Sequence, residues 1–413
     1  MARRESVRLL ADVQCLQGDD PERGIPRWAF GFLSELARRG IDIVGLENPE
    51  LRPVYEQFRS PFTTIAPNTR AEVRRLSSGH DVVYLCLSLM EPVRPIRSLL
   101  PGHVMDAAIP LVSILYDFAL YLMPEIYQSR PGDSQTYADR QHLFLKSDLF
   151  LCISKSTLRD AEKLWSVPSD RLMWAGSGLN DEISKVSVKG DHLHEFGIEG
   201  DFVLVVGRAD PRKQTAQAIR AFSQLEPELR SRHQLVIACQ ISDDIRREWS
   251  TLATSCGLDD GQLILTGRVD DDVLAGLYRA CRLFVEPSLY EGFGLPAAEA
   301  AIHGAAVITS STSSLPEILD LPESQFDPKS LDDIVRVMSM GLVDETFRSR
   351  LLRAVTNVKK RHSWEAVVDR VLPRLEGMGR QVDVPVRNRH WYLDRGFPAN
   401  SIGRTIPTSN LDA

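Results

Sequence analysis

The stretch Glu291-Gly292-Phe293-Gly294-Leu295-Pro296-Ala297-Ala298-Glu299 carries more information about the fold than any other segment of this chain. An apolar run at 283–288 precedes it and predicts a buried strand that ends in a turn. Residues 297–303 predict a helix with Pro296 at its first position, where a missing N–H has no cost. We therefore expect Glu291 on a strand-to-helix loop and Glu299 about two turns inside the helix.

The glycines between the two carboxylates predict an anion-binding loop. Gly292 and Gly294 leave backbone N–H groups uncovered at a helix N-terminus, where the helix dipole favours negative charge. One ligand could then meet amide donors at its charged centre and a hydroxyl-accepting carboxylate at each end. A nucleotide sugar has this arrangement, because its diphosphate lies between a sugar and a ribose.

Length and composition narrow the class of protein. The chain of 413 residues suffices for two domains, and 43% hydrophobic with 25% charged residues is typical of a soluble globular protein. The net charge of −7 argues against a nucleic-acid partner, since such proteins carry a basic excess. Acidic and basic side chains nearly balance within 1–180, which permits peripheral contact with an anionic membrane without predicting it.

The cysteines and the N-terminus favour a cytosolic protein. The six cysteines show no Cys-x-x-Cys spacing and several lie in apolar runs, which predicts buried free thiols in a reducing compartment. The apolar stretch near the N-terminus is too short for a signal peptide. Pro110 and Asp117 interrupt another apolar stretch, 107–123, which is shorter than a bilayer requires, so we expect a buried strand and a loop there.

Short apolar strands alternate with helical patterns, which predicts parallel sheets built from βα units. The first series of strands is expected at 7–11, 41–46, 82–87, 111–115, 149–153 and 172–175. The second series is expected at 202–206, 234–239, 262–265, 283–285 and 306–309. Helices are expected at 28–39, 156–164, 273–280, 332–340, 346–360 and 363–376. We interpret 185–194 as a linker and 380–413 as an extended or partly disordered tail.

Two basic side chains follow the first strand of the second series. Arg208 and Lys213 flank an Asp-Pro pair that turns the chain into a helix. Open α/β sheets bind ligands beyond the carboxyl ends of their strands. We therefore expect these cations to hold a diphosphate and to stabilise the charge of a departing group. The alternative is a solvated basic face, although cations at the start of a helix oppose its dipole.

Together these segments resemble retaining glycosyltransferases of family 4, which have the GT-B fold and a Glu-x7-Glu motif. The similarity extends over 205–213, 267–269, 277–281, 305–318 and 326–328, and more weakly over 23–28 and 114–118. The resemblance implies an α/β fold with two Rossmann-like, doubly wound parallel-sheet domains that face a cleft. It implies an acceptor-binding domain at 1–182, a nucleotide-sugar-binding domain at 200–362 and a C-terminal crossover helix at 363–378.

The resemblance also implies roles for single residues. It assigns Glu291 to the hydroxyls of the donor sugar and Glu299 to the ribose. Asp117 follows Tyr116 where related enzymes have His-Asp, and it is a candidate to orient or deprotonate the acceptor hydroxyl; a helix cap is the alternative. The predicted catalytic residues are Arg208, Lys213, Glu291 and Asp117. The predicted donor-binding residues are Gly24, Gly207, Gly267, Val269, Gly292, Phe293, Gly294, Leu295 and Glu299.

Some of these assignments have competing interpretations. Gly24 resembles the glycine-rich loop of the family, but Pro26 and Trp28 replace its more usual Gly and Tyr, and an ordinary turn glycine is the alternative. The run 270–272 contains Asp-x-Asp, a metal motif of another glycosyltransferase fold. Here it opens a helix, where acidic side chains suit the dipole, so we expect no metal site. The histidines show no zinc-ligand spacing.

We therefore expect a retaining hexosyltransferase of surface polysaccharide assembly, with GDP-mannose as the first candidate donor and a saccharide or lipid-linked hydroxyl as acceptor. It needs neither a cofactor nor a divalent metal. A glycoside hydrolase that uses Glu291 and Glu299 stays open as an alternative, although Arg208 and Lys213 would then bind no anion. A GT-B scaffold that binds a nucleotide sugar without turnover is a third possibility. The sequence predicts no oligomeric state.

Overall fold

The computed structural model describes residues 7–19, 24–90, 99–107, 109–129, 133–179 and 191–379. The predicted tail and most of the predicted linker lie outside these residues. Two parallel sheets form the frame. The first consists of β1 (Arg8–Asp12), β2 (Asp42–Glu47), β3 (Thr64–Pro67), β4 (Val82–Cys86), β5 (Leu111–Leu115), β6 (Leu149–Cys152) and β7 (Leu172–Trp174). The second consists of β8 (Asp201–Arg208), β9 (His233–Gln240), β10 (Leu263–Leu265), β11 (Leu283–Glu286), β12 (Val307–Ser310) and β13 (Gln325–Phe326).

The strand order is β3-β2-β1-β4-β5-β6-β7 in the first sheet and β10-β9-β8-β11-β12-β13 in the second. Every paired strand runs parallel to its neighbour. Strands such as β4 and β5 are buried along their whole length, because helices cover both faces of the sheet. The order changes direction beside β1 and beside β8, so each sheet has the doubly wound form that the sequence predicts.

Helices connect the strands. Those before the second sheet are α1 (Gly24–Arg38), α2 (Arg70–Ser77), α3 (Gly102–Asp106), α4 (Ala119–Leu122), α5 (Pro124–Tyr127), α6 (Asp133–Phe144), α7 (Lys155–Trp165) and α8 (Asp191–His194). Those that follow are α9 (Thr215–Ser223), α10 (Pro227–Arg230), α11 (Asp243–Ser255), α12 (Asp271–Ala280), α13 (Leu295–Ile302), α14 (Leu331–Val343), α15 (Glu345–Val355), α16 (Val358–Arg361) and α17 (Trp364–Gly379). Side-chain caps fix several starts: Ser154 accepts a hydrogen bond from the N–H of Thr157 at the start of α7.

Several local expectations are wrong. The short edge strands β3 and β13 were not predicted, and the helix expected at 346–360 is divided into α15 and α16. The helix α13 begins at Leu295, so Pro296 is its second residue and Glu299 lies about one turn inside it rather than two. Gly24 is the first residue of α1 and not part of a preceding loop. The starts of α13 and α1 thus differ from the expected ones by a few residues, and the positions of these two helices are retained.

The chain connects the two sheets at two crossings, which touch each other. The N–H of Leu179 donates a hydrogen bond of 2.8 Å to the carbonyl oxygen of His362. Directly after His362, α17 returns to the first sheet and packs against α1. There the Trp364 indole covers Gly31 so closely that a Cβ on this glycine would lie 2.2 Å from the ring. The ring of Trp28 meets the same indole edge to face, with centroids 5.7 Å apart.

Two further expectations can be compared with the structure. All six cysteines are free, and five of them are buried. Among the described residues, none of the helices has the length and apolar character needed to cross a membrane. The apolar stretch 107–123 contains β5, which is the expected strand, and the short helix α4, which forms where a loop is expected.

Candidate functional site

The carboxyl ends of β5, β8 and β11 bring the predicted site loops together. The loop after β11 lies directly on the loop after β5, because a Cβ at Gly292 would be 2.0 Å from the carbonyl oxygen of Tyr116. Only a residue without a side chain fits this contact. The hydroxyl of Tyr290 accepts a hydrogen bond from the N–H of Phe118 and donates one of 2.7 Å to Asp160. The two sheets are therefore in direct contact at the predicted crevice.

Glu291 is the centre of a buried cluster of charges. Its Oε1 atom lies 2.7 Å from the ammonium of Lys213 and 2.9 Å from Nη1 of Arg212. Burial alone would raise the pKa of this carboxyl, but Lys213 and then Arg212 outweigh it and lower the pKa to about 2. Glu291 is thus a carboxylate at neutral pH, and it ties the loop after β8 to the loop after β11.

A second carboxylate shares Lys213. Oε1 of Glu286, at the end of β11, lies 3.6 Å from the ammonium and accepts a hydrogen bond from Ser288. Burial raises the pKa of Glu286 in spite of Lys213. Burial would lower the pKa of Lys213, but Glu286 and Glu291 raise it, so the ammonium stays charged. Lys213 is therefore held in place by two acidic side chains in the absence of any ligand.

Arg208 occupies a different position from Lys213. It is the last residue of β8 and is exposed, whereas the side chain of Lys213 is only 11% exposed and lies beside Gly207. Both cations act on the thiol of Cys239, whose pKa burial raises to about 11 while Lys213 and Arg208 oppose the increase. Both basic groups therefore lie near the carboxyl end of β9, one directed inward and the other toward solvent.

The other end of the Glu291–Glu299 segment has a different environment. Burial raises the pKa of Glu299. The nearest cation is Arg27 of α1, whose guanidinium lies 3.8 Å from Oε1, and the hydroxyl of Tyr278 donates a hydrogen bond of 3.2 Å to Oε2. A cavity of about 20 Å³ separates α1 from α13 at this point. Its lining includes Arg27, Trp28, Ser177, Leu295, Glu299 and Trp364.

Between the two carboxylates, the backbone has the form expected of an anion site. Gly294 caps α13 with a φ of 93°, a left-handed conformation that glycine adopts without strain. Within the described residues, the N–H groups of Phe293, Gly294 and Leu295 donate no hydrogen bond to another protein group. Uncovered amides at a helix N-terminus attract negative charge.

Asp117 lies at the meeting point of the two sheets. Its Oδ1 atom accepts a hydrogen bond of 2.9 Å from the N–H of Ala119, the first residue of α4. Burial raises its pKa, while the charge of Arg212 lowers it. The neighbouring Tyr116 is a packing residue: its hydroxyl donates to the carbonyl oxygen of Leu87. Asp117 therefore fixes the backbone at the start of α4, and its role toward the acceptor hydroxyl stays a prediction.

The remaining predicted donor residues divide into two groups. Gly24 meets the donor loop across the crevice, since a Cβ there would lie 3.8 Å from Cδ1 of Leu295. Phe293 packs edge to face on the ring of His362 with centroids 5.0 Å apart. Gly267, with a φ of 77°, and Val269 follow β10, which is separated from β8 by β9, and they do not join the Glu291 cluster.

Sequence reasoning missed three charged residues of this site: Arg212, Glu286 and Arg27. Arg212 precedes Lys213 directly, so a second cation in the motif was visible in the sequence. Glu286 ends an otherwise apolar strand, and an acid at the carboxyl end of a parallel strand is itself a signal. Arg27 comes from α1, and nothing local in the sequence indicates that it faces Glu299.

The acidic run 270–272 lies at the start of α12, as the sequence predicts. Asp270 is the N-cap of α12, and Asp271 lies 3.7 Å from Arg27. Across the described ranges, no cluster of three or more His, Cys, Asp or Glu side chains has the arrangement needed to hold a metal ion. Asp270 thus lies at the start of α12, and Asp271 contacts α1 beside the other sheet.

The chain is similar to known glycosyltransferases. Residues 194–359 match the family described as glycosyl transferases group 1. The serotype-specific mannosyltransferase WbdA of Escherichia coli is 33% identical over 257 residues, which cover 61% of this chain and 32% of that protein. The chain thus spans about a third of the length of this relative. The O-antigen chain mannosyltransferase B of E. coli is 28% identical over 271 residues, or 62% of this chain and 67% of that protein.

Solved structures share the fold. Sucrose-phosphate synthase from Thermosynechococcus elongatus superimposes with a TM-score of 0.68 at 18% identity, over 92% of this chain and 99% of that one. Anabaena Alr3699/HepE in complex with UDP-glucose gives a TM-score of 0.68 at 14% identity, over 90% and 100%. The predicted GT-B fold and the resemblance to bacterial polysaccharide glycosyltransferases are therefore confirmed.

Proposed function

We propose that this chain, a GT-B protein with a group 1 glycosyltransferase segment, is a retaining hexosyltransferase of family 4. It moves mannose from GDP-mannose to a hydroxyl of a saccharide or lipid-linked acceptor in surface polysaccharide assembly. The observation that carries the proposal is the ion-paired cluster of Lys213, Arg212 and Glu291 beside the uncovered amides at the start of α13. The two mannosyltransferase relatives favour mannose as the transferred sugar.

The chemistry follows from the charges. Negative charge builds on the diphosphate as the bond between the anomeric carbon and the phosphate oxygen breaks, and preorganised cations stabilise it. Lys213 is charged and already ion-paired with Glu291 and Glu286, so little reorganisation is needed. The acceptor oxygen bonds to the anomeric carbon from the side of the leaving group, and its proton passes to the departing phosphate oxygen. The configuration of the sugar is therefore retained.

Three further parts of the proposal concern metal, donor contacts and place of action. Arg208 and Lys213 take over the charge neutralisation that a divalent metal provides in other transferases, so activity is expected to resist chelators. Glu291 accepts from hydroxyls of the sugar and Glu299 from the ribose, while the amides of Phe293 and its neighbours bind the diphosphate. The protein acts in the cytoplasm, where its nearly neutral N-terminal half permits peripheral contact with the inner face of the membrane.

Donor binding requires the two sheets to separate first. The cavity between Arg27 and Glu299 has a volume of about 20 Å³, whereas sites for ligands of this size occupy about 300–1,000 Å³. The contact between Gly292 and Tyr116 must open for a nucleotide sugar to reach the amides. Reclosure over the donor would then exclude water and limit hydrolysis.

One observation favours the hydrolase alternative. The pKa of Glu299 is raised and that of Glu291 is lowered, which is the pattern of an acid and a nucleophile. However, Glu291 already forms ion pairs with Lys213 and Arg212, and a hydrolase has no use for the uncovered amides between them. Release of free sugar from a glycoside in the absence of nucleotide would establish this alternative.

The test begins with binding and ends with transfer. The full chain is titrated with GDP, UDP, GDP-mannose and UDP-glucose while its melting temperature is followed, and we expect the largest increases with the guanine nucleotides. GDP-mannose is then supplied with a panel of mannosides and lipid-linked saccharides, in buffer with EDTA, and the anomeric configuration of any product is determined. Tight nucleotide binding without transfer to any acceptor would support a scaffold, and the lack of any nucleotide response would overturn the proposal.

A further inference from the structure

A chain of hydrogen bonds runs across the crevice from α5 to Glu291. The hydroxyl of Tyr127, the last residue of α5, donates a bond of 2.7 Å to Oδ2 of Asp210. The same hydroxyl accepts a bond of 3.0 Å from Nε of Arg212. Nη1 of Arg212 then reaches Oε1 of Glu291 at 2.9 Å and also bonds to the carbonyl oxygen of Tyr290. One guanidinium thus connects the first sheet to the predicted donor loop.

The direction of these bonds is fixed by the groups involved. A carboxylate only accepts and a guanidinium only donates, so the phenol must donate to Asp210 and accept from Arg212. Burial raises the pKa of Tyr127 well above its usual range, which keeps the phenol protonated. The phenol therefore separates two groups of opposite charge: Nε of Arg212 and Oδ2 of Asp210 lie 3.8 Å apart with the hydroxyl bonded to both.

We propose that Arg212 is a positioning residue that Tyr127 holds on Glu291 only while the two sheets are closed, so that closure completes the charge arrangement around Lys213. The inference rests on the proposed glycosyl transfer and adds a specific residue to it. Asp210 and Arg212 belong to one loop, and Glu291 to another loop of the same sheet. Tyr127 alone belongs to the other sheet, and it is the member of the chain that opening would remove.

Removal of the Tyr127 hydroxyl should cause a defined movement of the Arg212 side chain. Nε of Arg212 lies 3.8 Å from Oδ2 of Asp210. Without the hydroxyl between them, the guanidinium can move into direct contact with this carboxylate. Glu291 would then be neutralised by Lys213 alone. The ammonium would be drawn more strongly to Glu291 and would be less available to a departing diphosphate. The effect should therefore appear in the transition state rather than in donor binding.

The experiment is a double-mutant cycle with Tyr127→Phe and Arg212→Lys. A lysine in place of Arg212 can pair with Glu291 but has no fork to reach Tyr127 at the same time. The control is Tyr137→Phe, which removes a hydroxyl that bonds to the carbonyl oxygen of Tyr127 within the first sheet. The turnover number and the KM for GDP-mannose are measured for each protein, together with the denaturant midpoint without nucleotide.

We expect Tyr127→Phe to lower kcat by about 100-fold, the size of effect that a misplacement near 1 Å produces, with KM changed less than about threefold. The double variant should lose no more than the worse single variant, because both break one connection. The control should stay within about twofold of the wild type. Normal kcat in Tyr127→Phe, additive losses in the double variant, or an equal loss in Tyr137→Phe would each overturn the inference.

The stability measurement separates this inference from the proposed function. Non-additive shifts of the denaturant midpoint show that Tyr127 and Arg212 are coupled in the nucleotide-free protein, whatever it transfers. If the wild type transfers no sugar and the shifts are non-additive, the proposed function is wrong and the coupling across the crevice stands. If the shifts are additive in a wild type that transfers sugar, the coupling is wrong and the function stands.

Discussion

Glu291 and Glu299 bound one nine-residue segment, yet the protein treats their carboxyl groups in opposite ways. Burial raises the pKa of both. At Glu291, Lys213 and Arg212 approach within 2.9 Å and lower the pKa to about 2. At Glu299, Arg27 stays at 3.8 Å and the pKa remains raised. The number and distance of the cations, and not the depth of burial, decide whether a buried acid is charged.

The two ends also differ in where their cations originate. Lys213 and Arg212 belong to the same sheet as Glu291, so the ion pairs at this end lie within one domain, and Tyr127 of the other sheet positions Arg212 there. Arg27 belongs to α1, on the other side of the crevice from Glu299. The cations around Glu291 therefore come largely from its own sheet. The charge environment of Glu299 depends on how closely the two sheets approach.

Among variants at the two ends of the segment, Lys213→Ala should cause the largest loss of activity. We expect kcat for mannosyl transfer to fall by about 1,000-fold, because a preorganised cation at the leaving group is lost. Initial rates at saturating GDP-mannose measure the effect, and Lys329→Ala, at an exposed position, is the control. Near-normal transfer by the Lys213 variant would remove the leaving-group argument.

Glu291→Gln tests how much the ion pairs of Glu291 contribute to the stability of the folded protein. The folded-state pKa of about 2 lies below the ordinary 4.5, so the carboxylate stabilises the protein fully above pH 4.5 and loses this contribution as the pH falls toward 2. At pH 7 the variant should be less stable by about 2–3 kcal/mol. Denaturant unfolding at pH 7 and at pH 3 gives the comparison. A deficit that is as large at pH 3 as at pH 7 would contradict the ionised state of Glu291.

Glu299→Gln should raise the stability of the protein at pH 7, whereas Glu291→Gln should lower it. Because the folded-state pKa is raised, the favourable contribution of Glu299 is complete below its unfolded-state pKa and is lost as the pH rises through the folded-state value. At pH 7 the variant should melt about 2–4 °C higher while its affinity for GDP falls about tenfold, since a ribose acceptor is lost. Thermal melts and GDP titration measure both, with Glu323→Gln as a surface control. Unchanged GDP affinity would show that Glu299 does not bind the ribose.

Arg27→Met should have the smallest effect. Its charge lies 3.8 Å from Glu299 and is partly exposed to solvent, so we expect the KM for GDP-mannose to rise about two- to threefold. Arg70→Met removes an exposed surface ion pair, with Asp106, and serves as the control. If Arg27→Met lost as much transfer activity as Lys213→Ala, both ends of the segment would depend equally on a cation.

The sequence predicted most of the frame because buried parallel strands are continuous apolar runs. It failed at β3 and β13, which lie at sheet edges and have few buried residues. A short edge strand is defined by its neighbour, as the pairing of Thr64 with Val44 illustrates, and not by its own side chains.

The candidate site was predicted to the extent that its residues share a loop. Lys213 and Glu291 each lie in a recognisable segment, and the structure brings them into contact. The contributions of Tyr127 and Arg27 depend on the approach of the first sheet, a contact between residues far apart in the chain. The position of Arg208 was also beyond local reasoning, since a strand end does not determine whether a long side chain turns inward or toward solvent.

The hydrogen bond between Leu179 and His362 has a consequence for the motion that donor binding requires. Two connections joined at one point behave as a pivot, so the sheets can rotate about it but cannot drift apart independently. Each opened molecule therefore keeps its two halves at a high effective concentration, and return to the closed form is a first-order event that does not depend on protein concentration. The edge-to-face contact of the Trp28 and Trp364 indoles lies beside this pivot and fixes α17 against α1 on the side of the first sheet.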